Sequence, residues 1–312
     1  MPHAMLTEKG QTSGRTLVDI HLLGPVELRL EGRQLKLGSD KERALLAALA
    51  LEVGRPISMN ALLERLWDGK APPRARENAH TYISRVRKHL RLAGTGPSAP
   101  RITSQAHTYV LNTDPDSVDL NRFQRLTDLA GAVATSGEDE RVVDLLTRAE
   151  HLWQGEALAG LPGTWAETVR STLAERRLQA TISRMAALHR LGRFADSIGE
   201  LAAMVRHHPE DETLAGQLML AYYGSGRYTD ALRVHQQARR LLMSEFGSRP
   251  GDELDRLHRG ILDRTPVDRL LRTAAAAASS GPSPGDIPPR SLRHAICRTS
   301  PRSSAGAPNS TP

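Results

Sequence analysis

The sequence predicts a mainly α chain in two parts. A small N-terminal part combines short antiparallel strands, three helices and a closing hairpin. A longer all-α part built from a repeated helix pair follows. Three observations carry this. Alternating apolar and polar residues occur near residues 17–38 and again in a ribbon after residue 100. Helical periodicity fills most of the chain between and beyond them. A Gly-Arg-aromatic motif recurs 226 − 192 = 34 residues apart.

LVDIHLLG (17–24) and VELRLEGRQLKLG (26–38) come first. Val26, Leu28 and Leu30 alternate with Glu27 and Arg29, and Leu35 and Leu37 with Gln34 and Lys36. Glu31-Gly32 is a turn signal between them. At SDKERALLAALALEVG the period changes. Ser39 or Asp40 is the N-cap, Leu45, Leu46, Leu49 and Ala50 face inward, and Gly54 is the stop. SMNALLERLWDG is a second helix, capped by Ser58, packed through Leu62, Leu63, Leu66 and Trp67, and ended by Gly69. The loop KAPPRA leads to ARENAHTYISRVRKHL, a third helix with Ala79, Ile83, Val86 and Leu90 on one stripe. LAGTGPSAP breaks that pattern, and RITSQAHTYVLNT has the residue types of a two-stranded ribbon. Strands, three helices and a hairpin in that order make a helix-turn-helix with a wing.

From Leu120 to about Thr265 the chain is helical and rich in Ala, Leu and Arg. LGRFADS (191–197) aligns with SGRYTDA (225–231), Gly192 on Gly226, Arg193 on Arg227, Phe194 on Tyr228 and Asp196 on Asp230. A period of 34 residues is that of a tetratricopeptide array, in which each helix pair buries its face against the next. The organisation expected is a disordered start (1–16), a winged-helix unit (17–112), a helical repeat unit (113–265) and a disordered low-complexity tail (266–312).

Charge divides the same way. The chain is +7 overall with a pI of about 10.0. Residues 17–112 hold fifteen Lys/Arg against nine Asp/Glu, a net of +6, whereas residues 113–265 hold nineteen against twenty-three, a net of −4. Between 70 and 101 there are eight basic residues and one acid, Glu77. A basic part followed by an acidic one points the first at a polyanion. One cysteine, Cys297, excludes a disulfide framework and fits a reducing compartment. The start lacks an apolar signal segment, and no apolar run is long enough to span a membrane. The expectation is a cytoplasmic, nucleoid-associated protein.

The polar side of the third helix carries Arg74, Asn78, Thr81, Arg85 and Lys88, with Glu77 and Ser84 beside them. An apolar stripe with a solvated charged face is ordinary for any surface helix. Here three features favour nucleic acid: the helix is third in order, its charge is almost all of one sign, and a hairpin follows. The long cations reach phosphates or guanine edges, Asn78 pairs with adenine, and Thr81 reads a base only from deep in the major groove. Arg87 and Arg91 are phosphate contacts or solvated cations. The DNA-binding set is therefore Arg74, Asn78, Thr81, Arg85, Arg87 and Lys88.

No catalytic residue, metal ligand or cofactor is expected. The twelve histidines form no HExxH, and His207-His208 reads as a solvated helix end. GxxxxGK[ST] and GxGxxG loops are both missing, and Gly192 and Gly226 are turn glycines that cradle no phosphate. Trp67, Trp153 and Trp165 are core anchors.

LGSDKERALLAALALEVGRPISMNALLERLWDGKAPPRARENAHTYISRVRKHL resembles the DNA-binding domain of the Streptomyces antibiotic regulatory proteins, which is similar to the OmpR-type winged helix. DPDSVDLNRFQRL, LWQGEALAGLP and GQLMLAYYGSGRYTDALRVHQQARRLLMSEFGSRPGDELDRLHRGIL resemble the bacterial transcriptional activation domain that follows it. The resemblance covers about residues 17–265. It departs at the wing, where the family carries a Pro-Gly-Gly-Tyr type turn. Here SQAHTYVL has Tyr109 and no glycine, and His107 stands in a glycine's place. The resemblance implies a pathway-specific activator of a secondary-metabolite gene cluster. It would bind double-stranded DNA at direct repeats near promoters, as a homodimer, and recruit RNA polymerase holoenzyme. The competing reading is a repeat-based adaptor or ligand-sensing regulator whose DNA binding is accessory.

Overall fold

The computed structural model describes residues 18–92 and 99–280, with side chains described as far as Thr273. The segments read as a disordered start and as the distal tail with Cys297 lie outside the described residues. The described residues form two compact units, one of those up to residue 123 together with 152–167, the other of 124–151 and those from 168 onward.

In the first unit, β1 (Val18–His21), β2 (Glu27–Leu30) and β3 (Arg33–Leu35) form an antiparallel sheet in that order. Ile20 pairs with Leu28 and Leu28 with Leu35, so the alternation puts Ile20 and Leu28 on the buried face. Glu31 and Gly32 have φ of 49° and 78°, the two left-handed residues a two-residue hairpin requires. Three helices follow: α1 (Asp40–Ala50), α2 (Met59–Trp67) and α3 (Ala75–Leu92). Buried residues run unbroken from Ala44 to Ala50, so α1 is the inner helix, packed against both others. Ser58 caps α2, its Oγ accepting from Ala61 N–H at 3.2 Å. Lys41 Nζ donates to the Leu66 carbonyl at the other end of α2, and Asp68 leaves that helix in the left-handed region at φ 50°. Strand β4 (Ile57–Ser58) joins β5 (Arg101–Gln105) and β6 (Thr108–Asn112) in the order β4-β6-β5.

The first unit also draws on residues far along the sequence. Helix α4 (Asp119–Ala134) starts at Asp119, which is buried and accepts from the N–H groups of Leu22 at 2.9 Å and Leu23 at 3.0 Å. Burial pushes its carboxyl up to about 6, while these backbone bonds pull the other way. Residues 154–159 return to the same loop, Gln154 N–H donating to Leu23 O at 2.7 Å and Leu158 N–H to Leu22 O at 2.9 Å. Asp68 accepts from Thr164 N–H at 3.2 Å and from Thr164 Oγ1 at 3.0 Å, and so caps the first turn of the helix that begins there.

The second unit is helical. It takes the later part of α4, then α5 (Asp139–Glu150), most of α6 (Thr164–Arg190), α7 (Phe194–His207), α8 (Glu212–Gly224), α9 (Tyr228–Glu245), α10 (Asp252–Leu262) and α11 (Val267–Ser280). Met185, Leu201, Leu218, Ala231, Leu254 and Leu270 share one core. The turns at Gly192 (φ 72°) and Gly226 (φ 76°) are copies of one another. Each glycine N–H bonds the carbonyl three residues back, and the next N–H bonds one five residues before itself. In each turn the arginine Nε donates to the aspartate, Arg193 to Asp196 and Arg227 to Asp230, both at 2.8 Å.

A third copy joins α10 to α11. Arg264 N–H bonds Ile261 O at 3.1 Å and Thr265 N–H bonds Gly260 O at 2.9 Å, with Arg264 in the glycine position at φ 55°. The tail expected from residue 266 is thereby corrected: Val267–Ser280 is helix, and Leu270 is buried in the core. Leu270 and Leu271 supply the apolar contact, which the Ala/Ser-rich composition around them obscured. Among the described residues no helix is long and apolar enough to cross a membrane.

Candidate nucleic-acid interface

Helix α3 is held on one side by Ala75, Ala79, Ile83, Val86 and Leu90, all buried. Tyr82, half-buried, lies 6.2 Å from the Trp67 ring. Burying that stripe leaves the opposite side open. Arg74, Asn78, Thr81, Arg85 and Lys88, at steps of four, three, four and three, are all exposed. From first to last they span roughly 21 Å at the helical rise, enough to follow a groove for several base pairs.

Within this face the residues differ in what holds them. Arg74, Asn78 and Lys88 make no side-chain hydrogen bond or ion pair among the described residues. Thr81 is exposed with its Oγ1 donating to Glu77 O at 3.1 Å. Arg85 donates through Nη1 to Glu42 Oε1 at 3.1 Å. Arg87 is the member placed differently. It is half-buried, and its Nε donates to Ile102 O at 3.0 Å, which ties α3 to β5. Arg91 Nε turns back to Arg87 O at 3.4 Å.

Two further bonds fix the helix. Arg76 Nη2 donates to Asn60 Oδ1 of α2 at 3.0 Å, and Tyr109 Oη lies 3.2 Å from His80 Nδ1. The hairpin tip is Ala106-His107, with φ of 47° and 63°. The tip is thus a two-residue turn with both residues left-handed and neither of them glycine. Met59 N–H donates to His107 O at 3.1 Å, so the tip leans on the start of α2.

The residue that sequence reasoning passed over is Glu42. It is 2% exposed and faces Arg85 and also His89, whose Nε2 is 3.8 Å away. Ser39-x-x-Glu42 reads as a capping box, which would turn the carboxylate back to its own helix end. Its packing against α3 carries no local signal.

A winged helix-turn-helix that presents a basic helix face is a nucleic-acid-binding module in build. The comparisons agree with that class. A family model described as transcriptional regulatory protein, C terminal, matches residues 32–106, and one described as bacterial transcriptional activator domain matches residues 118–262. Regulatory protein DnrI of Streptomyces peucetius is 31% identical over 268 residues, covering 84% of this chain and 98% of that protein. Regulatory protein AfsR of Streptomyces coelicolor is 38% identical over 268 residues, or 86% of this chain. The chain spans 26% of the length of that AfsR and 24% of the Streptomyces griseus one, about a quarter of each. The solved structure of Mycobacterium tuberculosis EmbR in complex with a low affinity phosphopeptide matches with a TM-score of 0.78 and 31% identity, covering 85% of this chain and 70% of that one. The chain belongs to the Streptomyces antibiotic regulatory protein family of transcriptional regulators, with an OmpR-type winged helix followed by a bacterial transcriptional activator domain.

Proposed function

We propose that this chain is a sequence-specific, DNA-binding transcriptional activator of a secondary-metabolite gene cluster. It binds direct repeats near the promoter as a dimer, and its helical repeat unit makes the contact that recruits RNA polymerase. The carrying observation is the α3 face, where Arg74 and Lys88 are exposed without a neutralising partner among the described residues and flank Asn78 and Thr81. Uncompensated cations at both ends of a helix meet phosphates, and short polar residues between them meet base edges. Arg87 serves the join to the hairpin. The relatives support this reading, since they carry the names of regulatory proteins and transcriptional regulators.

Selecting bound duplexes from a random pool with the full chain tests this directly. A recovered direct repeat is expected, together with a reporter that the full chain raises without a third protein. Arg74→Ala and Lys88→Ala should each lower the slope of log affinity against log salt by about 0.9 for one lost phosphate contact. Unchanged slopes for both would remove α3 as the interface. A reporter that responds only when another protein is added would favour the adaptor reading.

A further inference from the structure

Of the exposed cations on α3, Arg85 is paired with a buried carboxylate. Glu42 belongs to α1, is 2% exposed, and accepts from Arg85 Nη1 at 3.1 Å, while Arg85 itself is 58% exposed. Gly38 closes over the carboxylate so tightly that a Cβ there would lie 2.2 Å from Glu42 Oε2. Ser39 Oγ is 3.5 Å from the same Oε1, and His89 Nε2 is 3.8 Å from Oε2. The carboxylate is therefore covered by Gly38 and Ser39, and its basic neighbours are Arg85 and His89. A buried acid with one arginine partner does not relinquish it cheaply, because the anion would be left without its counter-charge.

We propose that Glu42 is a positioning residue that turns Arg85 into a base reader. This rests on the DNA-binding reading above. One guanidinium nitrogen is held from below, so the planar fork is fixed while most of the side chain stays exposed, with N–H donors left for a partner. A fixed planar donor pair matches the O6 and N7 acceptors of guanine in the major groove. Charge points the same way. A phosphate contact is strong because an uncompensated cation displaces counterions. Arg85 is already compensated by Glu42, so it displaces few. Arg74 and Lys88 have no such partner among the described residues and supply the salt-dependent part. The helix thus separates holding from reading: bare cations hold, and the buttressed cation reads.

The test uses the full chain, its selected duplex, single-base variants of that duplex and a mixed-sequence duplex, each titrated across salt. Arg85→Ala should relax preference at one G·C position by tenfold or more with the salt slope unchanged. Glu42→Gln keeps the side-chain volume but removes the negative charge. It should steepen the slope by roughly one phosphate equivalent, tighten binding to the mixed-sequence duplex, and relax the same G·C position. Thermal melting of the Glu42→Gln chain by tryptophan fluorescence separates these effects from unfolding, since a partly unfolded protein loses affinity for every duplex alike. An Arg85→Ala chain that loses about 0.9 from the slope with unchanged base preference makes Arg85 a phosphate contact. That outcome overturns this inference and leaves the proposed function standing. A Glu42→Gln chain with wild-type slope and preference, where Arg85→Ala does relax the site, overturns the role of Glu42 alone. If the Arg74, Arg85 and Lys88 variants all bind as wild type, the reading this inference rests on falls, and the inference with it.

Discussion

His189 is buried at 1% exposure, with Nε2 2.9 Å from Ser197 Oγ and its ring stacked 5.4 Å from Phe194. Burial lowers its pKa to about 4, a shift that Gln217 opposes. The folded state therefore holds fewer protons than the unfolded one between that value and about 6.5, and its stability rises with pH across this window. Acidification from 6.5 towards 4 should cost the second unit up to about 3 kcal/mol. Urea unfolding followed by far-UV circular dichroism, compared with His189→Gln, will show this; a variant with the same acid limb as wild type would refute it. Gly224 lies nearby. A Cβ built there would sit 2.4 Å from the Phe194 ring. Alanine is the better helix former by about 1 kcal/mol, yet Gly224→Ala should destabilise by about 1–3 kcal/mol through overpacking. Chemical denaturation decides the sign. The two aromatics at this repeated position differ in depth: Phe194 is 7% exposed, whereas Tyr228 is half-buried under the Arg264 guanidinium, 3.9 Å from its ring centre.

Single elements were legible in the sequence where one local rule was enough. The α3 stripe followed from period alone, and Ser58 as a cap followed from its place before an apolar run. The hairpin β5–β6 was legible from composition, but its tip was not. An Asn followed by a Gly is the usual signature of two consecutive left-handed residues, and Ala106-His107 carries neither. That tip stores strain. The double substitution Ala106→Asn with His107→Gly should raise the stability of the first unit by about 1 kcal/mol. All three tryptophans, Trp67, Trp153 and Trp165, fall in that unit, so fluorescence melting reports it. A lower melting temperature would show that His107 makes contacts that outweigh the strain. The third repeat turn was hidden in the same way. Arg264-Thr265-Pro266 shares only Asp268 with the aspartates at 196 and 230, because an arginine has taken the glycine position.

At the scale of the whole chain, contacts between distant segments left no trace in the sequence. Nothing periodic marks Asp119 as the acceptor for Leu22 and Leu23, or residues 154–159 as their neighbours. A fragment ending at residue 112 keeps both sheets and α1 to α3 but strands those buried N–H groups, at about 1–3 kcal/mol each. It should melt below a fragment ending at residue 167, as read by circular dichroism; equal melting would mean that the later residues are dispensable. The three turns at Gly192, Gly226 and Arg264 are spaced 34 and then 264 − 226 = 38 residues apart. Each is closed by its own backbone bonds, and contacts such as Arg264 over Tyr228 join one turn to the next. Such a stack is modular. Gene duplication in steps of one helix pair lengthens it without redesigning what is already there, since every pair meets only its neighbours. A lineage that starts from this chain can therefore acquire a longer protein-contact surface by copying, while the DNA-reading end stays under separate selection.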